Sequence, residues 1–130
     1  MNFEELGSEG NDMKKKTTKV LKLKSVKAFV IDRKVWARGH QRVNQLRRRD
    51  DGKMCCLGIY LKACGAPTCA LTGFGVPVDV KTLIVPGWLG TNKASDLVCA
   101  NDAYFDDEAR REDDVKAGFA KAGIEVTFKG

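Results

Sequence analysis

Five cysteines and one histidine carry the most versatile chemistry in this sequence. Cys55 and Cys56 are adjacent; Cys64, Cys69 and Cys99 follow at irregular intervals. A zinc site needs repeated Cys-x2-Cys spacing or paired Cys and His. Cys56 and Cys64 share a helix face and Cys69 can join them from a loop, but the set is irregular and His40 is the lone imidazole. No metal and no cofactor is expected. The second chemistry is nucleophilic. Cys55 or Cys56 at a helix start feels the helix dipole, Arg47, Arg48, Arg49 and Lys53 favour a thiolate, and His40 is the available base. This cysteine-dependent enzyme competes with the commoner fate of a thiol, a small hydrophobe packed in a core. An odd cysteine count without an export signal argues against a disulfide framework and for a reducing compartment.

The third chemistry is anion binding. Arg33, Lys34, Arg38, His40, Arg42, Arg47, Arg48, Arg49 and Lys53 crowd one short stretch, with Trp36 among them. Guanidinium forks bind phosphate bidentately, and an aromatic ring stacks on a base. The formal net charge of +6 conceals the asymmetry. Residues 1–13 carry four acids and no bases, residues 14–53 fifteen bases and three acids, and residues 54–130 eight bases and ten acids. A nucleic acid or nucleotide is the expected ligand, an acidic protein surface the competitor, and a merely solvated basic face the bland reading. The acids Asp106, Asp107, Glu108, Glu112, Asp113 and Asp114 alternate with Arg110 and Arg111 and read as a solvated helix face. Pairs three or four residues apart on such a face explain it without catalysis. No phosphate-loop, dinucleotide-binding or HExxH signature is present.

These side chains need elements to position them. Residues 1–18 read as a flexible tail that cannot build a core. From Lys19 to Trp36 the pattern is strand-like: Leu21 and Leu23 alternate with Lys22 and Lys24, and "KAFVIDRKVW" is rich in strand formers. Ser25 to Lys27 is a turn between two strands or a bulge in one. Residues 39–52 read as a polar loop or a short strand. Asp50 or Asp51 then offers an N-cap to a helix over 53–64, apolar on nearly every side and hence central and buried. Gly65 and Pro67 end it. Residues 66–94 are irregular, with room for a short strand or helix. A short helix capped by Ser95 carries Leu97, Val98 and Cys99, with Asn101 and Asp102 as the turn after it. The clearest helix starts at Asp106 or Asp107, buries Val115, Phe119 and Ala122 and stops at Gly123. "IEVTF" closes as a half-buried strand.

The expectation is a small single α+β domain over 19–130: an antiparallel sheet packed against about three helices. A chain of 130 residues is long enough to bury a real core. No apolar run approaches the roughly 20 residues that span a bilayer, and the N-terminus lacks a signal-peptide stretch. No membrane contact and a cytoplasmic location are expected.

"FVIDRKVWARG", "LRRRDDGKMCCLGIYLKACG", "WLG", "DLVCAND" and "REDDVKAGFAKAGIEVTF", in that order, resemble an uncharacterised family of small proteins encoded by phages, prophages and bacteria. Its shared marks are an "IDR…W.RG" strand, a "DGKMCCLG" helix start, an "AND" turn and a final "GIEV.F" unit. The resemblance covers most of residues 29–128, implies one compact domain and mobile-element ancestry, and transfers no catalytic residue. The basic "HQRVNQLRRR" departs from the family pattern. Together these lines point to an accessory protein that acts by binding in host takeover or counter-defence.

Overall fold

The alternation in "AFVID" predicts a strand with one buried face, and the computed structural model, which describes residues 20–130, contains it. The expected tail over 1–18 and the start of the domain at Lys19 lie outside the described residues. Strand β1 is Leu21–Lys22 and β2 is Ala28–Asp32; β3 is Leu83–Ile84 and β4 is Glu125–Lys129. In β2, Phe29 and Ile31 point inward while Ala28 and Val30 stay exposed. β2 pairs with β4 in register Phe29↔Val126 and Ile31↔Phe128, and β1 pairs with β3.

Both pairs are parallel, which corrects the expected antiparallel sheet. A period-two pattern reports which face of a strand is buried, not the direction of its neighbour. Parallel partners need a long crossover where antiparallel ones need only a turn. Here residues 33–124, containing all the helices of the described residues, are the crossover between β2 and β4. Residues 23–27 separate two strands that belong to different sheets.

Four α-helices fill the crossover: α1 Cys56–Ala63, α2 Thr68–Leu71, α3 Asn92–Asp102 and α4 Glu108–Ala120. Short 3-10 turns occupy Pro77–Asp79 and Gly87–Gly90. The described chain is thus an α+β mixture with two small sheets. Among the described residues no helix is long and apolar enough to cross a membrane.

The buried helix begins at Cys56 rather than residue 53. Neither Asp50 nor Asp51 caps it. Asp51 Oδ1 instead accepts from the Lys53 N–H at 2.9 Å, holding a turn in which Gly52 takes a left-handed φ of 72°. Met54 bridges to Trp36 before the helix starts. Cys55 stands extended at the cap position without a side-chain bond. From Cys56 to Leu61 every residue is buried, and Gly65, at φ 106°, ends the helix in the left-handed conformation that its sequence position predicts. Gly58 is required by closeness: a Cβ there would lie 1.9 Å from the Leu46 carbonyl oxygen.

α1 packs against β2 and α3, and α4 packs against α3 and β4. Phe29, Tyr60 and Phe119 meet at their shared centre with ring separations of 4.9–5.5 Å. Helix α3 starts earlier than expected, with Thr91 rather than Ser95 accepting from the first-turn Lys93 N–H. α4 starts where expected: Asp107 accepts from the Ala109 N–H at 2.9 Å.

Candidate functional site

The site is assembled around a side chain that the sequence reading assigns to a turn. Asn101 sits in the last turn of α3 and is only 1% exposed. Its Oδ1 accepts from Trp36 Nε1 at 2.7 Å and from the Cys56 N–H at 3.0 Å. Its Nδ2 donates to the Ala37 carbonyl at 3.0 Å and to Asp102 Oδ1 at 2.9 Å. All four bonding positions of the amide are filled. One side chain therefore caps α1, fixes the Trp36 ring and holds the backbone that carries Arg38.

Arg111 is the second unexpected member. Read as part of a solvated acidic face, it is 2% exposed. Its Nη1 donates to the Ala100 and Asn101 carbonyls at 3.0 and 2.9 Å, closing the C-terminal end of α3, where a cation is also favoured by the helix dipole. Its guanidinium lies 4.8 Å from the Phe105 ring centre. The sequence carries a signal for it: Arg111 is in phase with Val115 and Phe119 at steps of four, on the buried stripe of α4. Asn101 likewise shares a face with Ala94 and Leu97.

Arg111 lines a cleft of about 470 Å³, and Asn101 holds the Trp36 ring that forms part of its wall. Arg33, Trp36, Arg38, His40, Arg48 and Lys53 line it from the basic stretch; Tyr104, Phe105, Glu108 and Arg111 line it from the start of α4. Arg38 lies 4.6 Å from the Trp36 ring centre, and its Nη1 donates to the Arg33 and Trp36 carbonyls. Its Nε donates to Glu108 Oε1 at 3.0 Å, an oxygen that Arg111 Nε also reaches at 3.2 Å. Arg48, 8% exposed, is held by Asp51 at 3.1 Å. Lys53 is exposed and has no carboxylate partner among the described residues. Arg33 makes a two-pronged pair with Glu112, both bonds 2.8 Å. That bond holds the Glu112 carboxyl below its ordinary range and raises the guanidinium's affinity for its proton.

At the rim, His40 meets Tyr104 edge to face at 5.3 Å, and Tyr104 is two-thirds exposed. The Tyr104 hydroxyl donates to Asp106, which raises its pKa. Glu108 is the one carboxylate in the lining, against five cationic side chains. Glu112 and Asp51 pair from outside it, so a cationic excess remains.

Four other residues expected at the site lie elsewhere. Arg42 pairs with Asp50 and, at 3.1 Å, with Asp51. That pairing lowers the Asp50 pKa, while Asp51 is lowered chiefly by the Lys53 N–H bond. Arg47 Nη1 donates to Thr72 Oγ1 at 3.0 Å. Arg49 packs over Gly73, where a Cβ would meet Nη2 at 2.9 Å. Lys34 is exposed and outside the cleft.

Cys55 and Cys56 are buried, and burial pushes the Cys55 thiol up to about 11 and the Cys56 thiol well above its ordinary value. Both border a void of about 10 Å³ that His40 does not touch. A thiol that resists ionisation, without a base, is the opposite of an activated nucleophile. Cys64 is buried too, whereas Cys69 and Cys99 are exposed. Among the described residues no group of three or more His, Cys, Asp or Glu side chains is placed to hold a metal ion.

The arrangement is chemically suited to holding an anion with a planar group attached, since fixed guanidinium groups and aromatic rings share one concavity. No protein-family model, no curated protein and no solved structure matches the chain.

Proposed function

We propose that this protein is a non-enzymatic binder that captures a nucleotide-sized anion in the cationic cleft. One observation carries the reading. Arg33, Arg38, Arg48, Lys53 and Arg111 converge with Trp36, Tyr104 and Phe105 on one concavity, although they come from three separate parts of the chain. A volume of about 470 Å³ falls in the range of small-molecule sites, roughly 300–1,000 Å³. The phosphates face the guanidinium groups, and the base lies toward the exposed Tyr104 ring beside His40.

A nucleotide is favoured over a nucleic acid strand because the cations that would extend the track are engaged elsewhere. Arg42 and Arg47 hold the 42–52 turn rather than offering forks to further phosphates. An acidic host protein remains the competing partner, supported by the charge excess alone. The buried, weakly acidic thiols leave the cysteine-dependent enzyme without geometric support. The resemblance to phage- and prophage-encoded proteins supports a role in host takeover or counter-defence, through sequestration of a nucleotide signal inside the host cytoplasm.

Calorimetric titration with nucleoside mono-, di- and triphosphates and with short single-stranded oligonucleotides tests this. We expect one-site nucleotide binding, and no gain in affinity as an oligonucleotide lengthens. Affinity that climbs with each added nucleotide, with a log–log salt slope near −0.7 per phosphate engaged, would establish a strand-binding protein instead. Absence of any nucleotide binding removes the reading.

A further inference from the structure

The Glu108 carboxylate sits where the cleft's donors are most firmly fixed. Arg38 is held on Trp36 at 4.6 Å and by two backbone carbonyls. Arg111 is held by the Ala100 and Asn101 carbonyls and by Phe105. None of these restraints involves Glu108, so both guanidinium groups keep their aim without it. Between them, Glu108 accepts from Arg38 Nε at 3.0 Å and from Arg111 Nε at 3.2 Å. Arg111 Nη2, on the same edge as Nε, lies toward Gly39 in the cleft wall and has no hydrogen-bond partner among the described residues. The Arg111 fork is therefore half used.

Glu108 itself is free to leave. Its side chain is half exposed and stands in the first turn of α4, while Asp107 does the capping. Rigid donors facing a movable acceptor make a preorganised anion cradle with a resident occupant.

We propose that Arg38 and Arg111 form the phosphoryl subsite of the cleft and that Glu108 is a tethered stand-in for the ligand, displaced when a phosphate group binds. This rests on the nucleotide-binding reading above and names which part of the nucleotide the subsite takes. The displaced occupant also sets selectivity. Each carboxylate group of a ligand brings the subsite one charge and two acceptor oxygens, as Glu108 does, and gains nothing at these donors. A phosphoryl group brings a charge of about −1.5 to −2 and three acceptor oxygens, enough to take the whole Arg111 edge as well as Arg38. The cleft should therefore select phosphoryl groups over carboxylates of similar size.

The test is titration with pyrophosphate and with malonate, on the full chain and on Glu108→Gln, with Glu108→Ala as a second variant and circular dichroism to verify folding. Asp113→Asn removes the same charge from an exposed position of α4 outside the cleft and controls for long-range electrostatics. We expect the unaltered protein to bind pyrophosphate and not malonate. Glu108→Gln should tighten pyrophosphate binding by about threefold to tenfold, the scale of two ion pairs whose shared carboxylate is half exposed, and should make malonate binding measurable. If pyrophosphate binds the unaltered protein and Glu108→Gln tightens it no more than Asp113→Asn, Glu108 is not a competitor and the inference falls while the nucleotide-binding reading stands. If neither pyrophosphate nor nucleotides bind any of these proteins, the nucleotide-binding reading fails and takes the inference with it.

Discussion

Arginines from one stretch of sequence serve two opposite purposes in this fold. Arg38 and, from α4, Arg111 are pinned by rings and backbone carbonyls, and Arg48 by Asp51, so that all three border a concavity. Arg42, Arg47 and Arg49, only a few residues away, hold a turn together through Asp50, Thr72 and contact with Gly73. The difference is not charge, which is identical, but what fixes the backbone beneath each side chain. Arg38 and Arg111 rest on the Asn101–Trp36 network, which is buried and fully bonded; the outer arginines rest on a solvated turn, and Arg48, on that same turn, is aimed into the cleft by Asp51. A cluster of basic residues in a sequence therefore says that charge is present, and only the scaffold says where it can work.

The most severe way to break this contrast is to remove the scaffold. Asn101→Ala deprives the Trp36 Nε1–H, the Cys56 N–H and the Ala37 carbonyl of buried partners at once. Unsatisfied buried groups cost about 1–3 kcal/mol each, so a loss of roughly 3–5 kcal/mol in urea unfolding is expected. A loss below about 1 kcal/mol would mean that water replaces the amide easily and that Asn101 is not what distinguishes the cleft from the turn.

A milder test compares one arginine from each region. Arg38→Gln and Arg42→Gln remove the same charge from neighbouring positions. A charge-assisted hydrogen bond is worth about 1.5–3 kcal/mol, so Arg38→Gln should weaken nucleotide binding at least roughly tenfold. Arg42→Gln, on a half-exposed pair, should change binding by less than about twofold and stability by no more than about 0.5 kcal/mol. Equal losses in calorimetry would show that the protein attracts its ligand by overall charge and that the cleft has no special standing.

What the sequence reveals of this arrangement follows its physics. The apolar run around Cys56 to Leu61 reads as a buried helix because burial on all sides leaves no polar face, and burial is what the fold shows. Its start was not legible, since the group that satisfies the Cys56 N–H is Asn101, 45 positions further along. Caps supplied by a chain neighbour, such as Asp107 for α4, are visible in sequence; caps supplied across the core are not. The direction of strand pairing is hidden for a related reason, because Phe29 and Val126 alternate identically in either orientation. The cleft was half legible. Its wall from Arg33 to Lys53 announces itself by composition, whereas the wall from Tyr104 to Arg111 is masked by acids that make the segment read as solvated surface. Arg111 gives itself away only by its helical phase with Val115 and Phe119.

The smallest effect concerns Arg33, which lines the cleft yet is paired as firmly as the outer arginines. Glu112 grips it with two bonds, and that pairing holds the Glu112 carboxyl below the ordinary glutamate value, which is near 4.3. The folded protein thus takes up this proton less readily than the unfolded chain. The stabilisation is complete above the ordinary value and is lost as pH falls through the lowered one. Asp50 and Asp51 are depressed in the same direction, so the unaltered protein should lose stability progressively below about pH 4. Thermal unfolding followed from pH 6 to pH 3 should show a shallower decline for Glu112→Gln, with the Asp50 and Asp51 contribution remaining. If the two declines coincide, the Glu112 pair contributes no measurable stability, and Arg33 belongs with Lys53 among the cleft cations that are free to meet a ligand.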